Sequence, residues 1–181
     1  MSAVITPSFR VSYPNVFKAR KNDLSGNDEY SLVALFKKGE DLSSLKELVE
    51  SALADKWPDK AKRPKNLRIP FRDQAEREKD GILPEGYEEG AVMINLKSKQ
   101  RPGVVDESAQ AIIDESLFYP GCYARASIAA YAYDTKGNRG VAFGLRNVQK
   151  TGEGEPFSGK VKAEDEFAPI ESSSDLDSLM K

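Results

Sequence analysis

The chain has 181 residues with one cysteine and no histidine, and these counts alone exclude several classes of function. Without histidine, a Ser-His-Asp triad, a Cys-His nucleophile pair and the usual structural zinc sites cannot form, and a single cysteine cannot close an intramolecular disulfide. A hydrophobic fraction of 39% and a charged fraction of 31% are typical of one globular domain with a heavily charged surface.

The charge is unevenly distributed along the chain. The net charge is −2, but residues 161–181 hold six acidic and two basic residues, which leaves +2 on the rest. We therefore predict a domain over residues 1–159 and an acidic, disordered tail over residues 160–181. No apolar run is long enough to span a bilayer, and the N-terminal sequence lacks a signal-peptide pattern, so we expect a cytoplasmic protein.

Two strands and a helix are predicted first. Residues 9–17 alternate apolar and polar side chains, and residues 29–39 are apolar on both faces, which favours a central strand. From residue 40 the apolar spacing becomes helical, Ser44 with Glu47 forms a capping-box pattern, and Pro58 is expected to end the helix.

A basic segment and a third strand follow. Residues 59–81 contain many lysines and arginines interrupted by prolines, which predicts an irregular loop. A charge run of this kind is most often a solvated surface loop. Residues 90–99 alternate again and end in a cluster of basic residues.

The last two predicted strands form a hairpin. Residues 122–133 and 139–150 are separated by the turn sequence DTKGN. With one helix between the second and third of five short strands, the chain is predicted to be mainly β. The simplest closure is a five-stranded antiparallel OB-like barrel.

The strand over residues 122–133 carries tyrosine and arginine on one face, while its other face is small and apolar. Aromatic rings two residues apart stand about 6.6 Å from one another, which suits the unpaired bases of a single strand. Stacking stabilises such a complex by about 1–3 kcal/mol per base whatever the sequence. Tyrosine is also an ordinary surface residue of sheets. The neighbouring basic residues favour the nucleic-acid interpretation.

The candidate DNA-binding residues therefore fall into two groups. Aromatic side chains that could stack on bases are Tyr119, Tyr123, Tyr131, Tyr133, Phe143 and Phe71. Basic side chains that could contact phosphates are Lys65, Arg68, Arg72, Lys97, Lys99, Arg101, Arg125, Arg139 and Arg146. No catalytic residue, metal ligand or cofactor site is predicted.

Four segments carry a resemblance to a known family: FRVSYPNVFKAR, EYSLVALFKKG, INLKSKQRPGVVD and, above all, YPGCYARASIAAYAYDTKGNRGVAFGLRNVQK. The chain resembles the single-stranded-DNA-binding proteins of tailed phages and prophages, similar to the podophage replication protein. The resemblance implies an OB fold that coats and protects single strands without sequence preference during phage DNA replication, recombination and repair in the host cytoplasm. It also implies that the acidic tail contacts a polymerase or helicase, although this tail ends in Ser-Leu-Met-Lys rather than on an apolar residue. A homodimer is compatible with these expectations.

Two alternative functions stay open on the sequence alone. The tyrosine face could be a protein interface in a structural or adaptor domain of a phage particle. The acidic pairs Asp106 with Glu107 and Asp114 with Glu115 could hold magnesium in a nuclease, although a solvated surface is the more usual role for such pairs.

Overall fold

The computed structural model describes residues 3–23, 26–157 and 167–170. The strands of these residues are β1 (Val4–Ile5), β2 (Phe9–Lys21), β3 (Asp28–Leu35), β4 (Arg72–Asp73), β5 (Val92–Ser98), β6 (Gly103–Val105), β7 (Tyr123–Thr135) and β8 (Asn138–Gly152). One α-helix, α1 (Ser43–Lys56), lies between β3 and β5, and short 3-10 helices cover Lys60–Lys62, Gln74–Arg77 and Glu115–Leu117.

Five strands close into a barrel in the order β2, β3, β5, β8, β7 and back to β2. Neighbours in this ring are antiparallel except for β5 and β8, which are parallel. The predicted mainly β, five-stranded OB-like barrel with a helix between its second and third strands is therefore confirmed. The parallel pairing of β5 with β8 departs from the predicted antiparallel arrangement. Its five strands are the five that the sequence predicts, whereas β1, β4 and β6 were not predicted because two or three residues carry no readable alternation.

The core fills the barrel interior and extends to one face of α1. Phe9, Ile94, Leu96 and Ile128 are almost completely buried inside the ring. The buried face of the helix joins the same cluster through Leu45, Leu48, Val49 and Ala52. The helical spacing in the sequence thus marks the side that covers the barrel.

The predicted capping box of Ser44 and Glu47 is wrong. The helix begins two residues earlier than that pattern implies, and its N-cap is Leu42, whose side chain can accept no hydrogen bond. The carboxylate of Asp41 instead accepts a hydrogen bond from the amide of Ser43 at 3.0 Å. The helix ends at Lys56, before Pro58, as predicted.

A second, smaller apolar cluster lies on the outer face of β3 and β5. Val33, Leu35 and Met93 face outwards there and are covered by Tyr87, with Phe157 packed against them. This cover explains why β3 is apolar on both faces. Among the described residues, no helix is long and apolar enough to cross a membrane. The predicted tail falls outside the described residues except for residues 167–170, which are exposed and have no regular structure.

Candidate nucleic-acid interface

A groove of about 440 Å³ runs over the outer face of β5, β8 and the second half of β7. One wall consists of the rings of Tyr131 and Tyr133, and the opposite wall is the basic loop of residues 68–72. Asn95 and Lys97 of β5 also line the groove. The groove therefore places aromatic and basic side chains on opposite sides of one channel.

The floor of this groove lies on a row of small residues of β8, of which Ala142 lines the groove directly. Gly140 and Ala142 are the cross-strand partners of Tyr133 and Tyr131, and Gly144 is the next outward-facing residue. A Cβ atom at Gly144 would lie 3.9 Å from Cε1 of Tyr131, so the tyrosine ring lies beside this glycine. A larger side chain at Gly144 would crowd the Tyr131 ring, whereas the space over Gly140 is already occupied by the backbone of Arg68.

The basic loop is held against β8 by its backbone. The Arg68 amide donates to the carbonyl of Arg139 at 2.9 Å, and the Val141 amide donates to the carbonyl of Arg68 at 2.9 Å. A Cβ atom at Gly140 would lie 2.3 Å from the Arg68 carbonyl oxygen. Only glycine at position 140 allows the loop to approach this closely.

The electrostatics of the groove suit an anionic ligand, because its aromatic rings are neutral. Burial raises the pKa of Tyr131 above its ordinary value, and the carboxylate of Glu29 and the phenol of Tyr133 raise it further. The Tyr131 ring therefore stays uncharged at neutral pH. Arg72 lies 3.7 Å from Glu76, but both side chains are about half exposed, so this ion pair contributes little stability.

Apart from Phe143, whose side chain is buried, five of the predicted DNA-binding residues line the groove together: Arg68, Arg72, Lys97, Tyr131 and Tyr133. They come from three separate parts of the chain. Their convergence depends on the parallel pairing of β5 with β8 and on the β7–β8 hairpin.

Three other predicted residues lie elsewhere on the barrel. Tyr119 donates its hydroxyl hydrogen to Glu153, and the Nζ atom of Lys150 lies 5.3 Å from its ring centroid. The ring of Tyr123 lies 5.5 Å from the guanidinium of Arg10, and Arg125 donates to Gln149 at 2.8 Å. Arg125 is six residues from Tyr131, about 20 Å along the strand, so the two are on different parts of the barrel.

The interpretation of Phe143 as a stacking residue is wrong. Its side chain is 1% exposed and belongs to the barrel core. The outward positions of β8 are occupied by Ala142 and Gly144 on either side of it. Phe71 is half-buried and meets Phe143 edge-on, so it attaches the basic loop to the core and is not displayed in the groove.

The remaining predicted basic residues are exposed but do not line the groove: Lys65, Lys99, Arg101, Arg139 and Arg146. Arg139 forms an ion pair with Asp134 at 3.2 Å within the hairpin. A role for these residues in binding stays a prediction.

Sequence reasoning missed three features of the groove. Ile69 stands 52% exposed within the basic loop, and Asn95 lies beside Lys97 on β5. The small floor residues were not singled out either. The signals were present, since Asn95 alternates with Lys97 and small residues alternate at 140, 142 and 144.

The acidic pairs considered for a nuclease have structural roles in turns. The Asp106 carboxylate accepts hydrogen bonds from the amides of Ser108 and Gln110, and the Asp114 carboxylate accepts one from the amide of Ser116. Within the described ranges, no group of three or more acidic or cysteine side chains could hold a metal ion.

A closed five-stranded ring that carries an aromatic and basic groove across its strands defines the OB-fold class of oligonucleotide-binding proteins. Residues 2–178 match the sequence model of the family described as Enterobacter phage Enc34, ssDNA-binding protein. The chain belongs to this family, which confirms the resemblance to phage single-stranded-DNA-binding proteins.

Solved structures share the fold. The single-stranded DNA-binding protein from bacteriophage Enc34, in complex with ssDNA, is 17% identical with a TM-score of 0.67, over 86% of this chain and 89% of that chain. The protein gp2.5, a single-stranded DNA binding protein of bacteriophage T7, is 12% identical with a TM-score of 0.60, over 90% of this chain and 98% of that chain. Putative protein p50 of Acyrthosiphon pisum secondary endosymbiont phage 1 is 26% identical over an alignment of 162 residues, and the match covers 83% of this chain and 83% of that protein.

Proposed function

We propose that this protein binds single-stranded DNA without sequence preference and coats it during phage DNA replication, recombination and repair. The observation that carries the proposal is the groove in which Tyr131 and Tyr133 face Arg68, Arg72 and Lys97. Membership in a family of phage ssDNA-binding proteins supports it, as does the similarity of the fold to that of the Enc34 protein in complex with ssDNA.

The proposed mechanism divides the work between rings and cations. Successive unpaired bases stack on Tyr131 and Tyr133, and any base can do so because every base has a π face. Arg68 and Arg72 then contact the phosphates from the opposite wall of the groove, and Lys97 contacts them from β5. A duplex is disfavoured because its base faces are already covered by stacking with their neighbours.

The wider role follows from this binding mode. The protein acts in the host cytoplasm as a non-enzymatic coat, with residues 1–159 as the DNA-binding domain. The acidic tail, residues 160–181, offers a polymerase or helicase an anionic contact, and it competes with DNA for basic surfaces. A second copy of the chain is a further candidate partner.

Titration with oligo-dT at several salt concentrations tests the proposal. We expect submicromolar binding that weakens as salt rises, with a log-log slope of about −0.7 for each phosphate neutralised. Tyr131→Ala should weaken binding by about 1–3 kcal/mol, whereas Tyr131→Phe should retain it. Absence of salt-sensitive binding would favour the adaptor alternative, and magnesium-dependent shortening of the oligonucleotide would show a nuclease.

A further inference from the structure

A further exposed tyrosine lies on β2, two strands away from β5 in the ring and beside Tyr87 and Phe157 of the outer apolar cluster. Tyr13 of β2 is 52% exposed and has a positive φ of 45°. A bulky L-residue rarely adopts this left-handed conformation, so some surrounding structure must hold it there. The pairing of β2 with β3 shifts register between Ser12 and Asn15, which identifies a bulge at this position.

Bulges of this kind turn a side chain away from the direction that strand alternation would give it. The Asn15 side chain donates to the Tyr13 carbonyl at 3.1 Å and supports the bulged backbone. The Arg77 guanidinium lies over the tyrosine ring, 5.5 Å from its centroid. The result is an aromatic ring beside a cation, the same pair of features that the groove presents.

A single cross-strand row connects this bulge with the groove. Ser31 of β3 is paired with Asn15 on one side and with Lys97 on the other. Two strand spacings, about 10 Å, separate Lys97 from Asn15 along this row. Ser31 is small and half-buried, so the surface between the two places is low and polar.

A slot of about 200 Å³ adjoins Tyr13. Pro84, Pro120 and Phe157 give it flat apolar sides, and Ser12 and Glu85 add polar groups. Flat apolar walls beside an exposed ring are suited to a planar heterocycle.

We propose that Tyr13, with Arg77 and this slot, is a second base-stacking subsite that extends the path of single-stranded DNA from the groove across β5 and β3 to β2. The inference rests on the proposed function, because it assigns a further part of the same strand's path. The single-stranded DNA leaves the groove at Lys97 and crosses Ser31. One of its bases then stacks on Tyr13 while Arg77 contacts a phosphate.

Oligonucleotide length provides the test. Oligo-dT of about 4 nucleotides fills the groove alone, and oligo-dT of about 16 nucleotides reaches both places, these lengths being the limits for one OB fold. Tyr13→Gly is the informative variant, since glycine adopts this φ without strain while the ring is lost. It should weaken binding of the longer oligonucleotide about 5- to 150-fold, the equivalent of one stacked base, and leave the shorter one unchanged. Tyr13→Phe should match the wild type with both.

Several outcomes would overturn the subsite. Binding of the longer oligonucleotide by Tyr13→Gly at wild-type strength would do so, and so would an equal loss with both lengths. Ultraviolet cross-linking of the wild-type protein to the longer oligonucleotide needs no variant. It should label the peptide that contains Tyr13, and cross-links confined to the peptide with Tyr131 would contradict the proposal. If the wild type bound neither oligonucleotide, the proposed function itself would fail.

Discussion

The ring of Phe71 meets the ring of Phe143 edge-on, with 5.7 Å between their centroids and an interplanar angle of 79°. Phe143 is part of the barrel core, and Phe71 stands in the basic loop between Arg68 and Arg72. The contact between Phe71 and Phe143 therefore fixes the position of two candidate phosphate-binding arginines, although neither ring has to contact DNA.

Phe71→Ala is expected to weaken oligo-dT binding because the loop loses its attachment to the core. Phe17→Ala is a matched control, since Phe17 is also half-buried and meets a core ring, Phe118, edge-on at 6.2 Å. Both variants should lower the free energy of unfolding, by up to about 3–5 kcal/mol, the cost of a fully buried phenylalanine. Only Phe71→Ala should lower the affinity of the folded protein. Equal affinities for the two variants would show that the loop position does not matter.

Gly140→Ala should separate the basic loop from β8. The new methyl group would lie 2.3 Å from the Arg68 carbonyl oxygen, so one of the two backbones must move. We expect a loss of about 1–3 kcal/mol in the free energy of unfolding and weaker DNA binding. Gly152→Ala is the control, because nothing lies within 4 Å of its added Cβ. Chemical denaturation and oligo-dT titration measure the two effects. Normal binding by Gly140→Ala would contradict the role given to the backbone bridge between Arg68 and Gly140.

Neutralising a groove cation should change the salt dependence of binding. Lys97→Gln removes one phosphate contact, so the log-log slope of affinity against salt should become shallower by about 0.7. Arg125→Gln changes the same charge outside the groove and should leave the slope at its wild-type value. A shallower slope for Arg125→Gln would mean that the DNA also follows the first half of β7.

The pH dependence of binding should report the neutral ring of Tyr131. Because its pKa is raised above the ordinary value of about 10, the phenol stays protonated and affinity should be constant from about pH 6 to pH 9. At higher pH the phenolate forms and repels phosphate, so affinity should fall. In Tyr131→Phe that part of the fall should be absent. An affinity that decreased already near pH 8 would contradict the raised pKa.

The long elements of this fold were predictable, and the short ones were not. Apolar patterns over seven or more residues identify β2, β3, β5, β7 and β8, and in β3 the pattern is apolar on both faces. By contrast, β4 consists of Arg72 and Asp73 alone and exists because it pairs with β5. The helix start was misplaced because the side chain that accepts a backbone hydrogen bond at this end is Asp41, which binds the amide of Ser43, and not Ser44.

The site was half predictable for a geometric reason. Strand alternation places Tyr123 and Tyr131 on one face, but β7 is 13 residues long and its pairing shifts register between Ser127 and Ile128. Side chains on one face of such a strand can therefore lie on two different sides of the barrel, as Tyr123 and Tyr131 do. Phe143 was misassigned because β8 has only small residues on its outer face. The sequence pattern therefore does not show which face of the strand is buried, and the inward ring was interpreted as exposed.

The Arg68–Gly140 bridge fixes the separation of the two groove walls with hydrogen bonds between main-chain atoms. An incoming strand therefore meets a preorganised channel and loses little free energy to ordering the protein. For a site of this kind, variants of one interface differ mainly in dissociation rate, so the lifetime of the complex is the quantity that groove substitutions should change most.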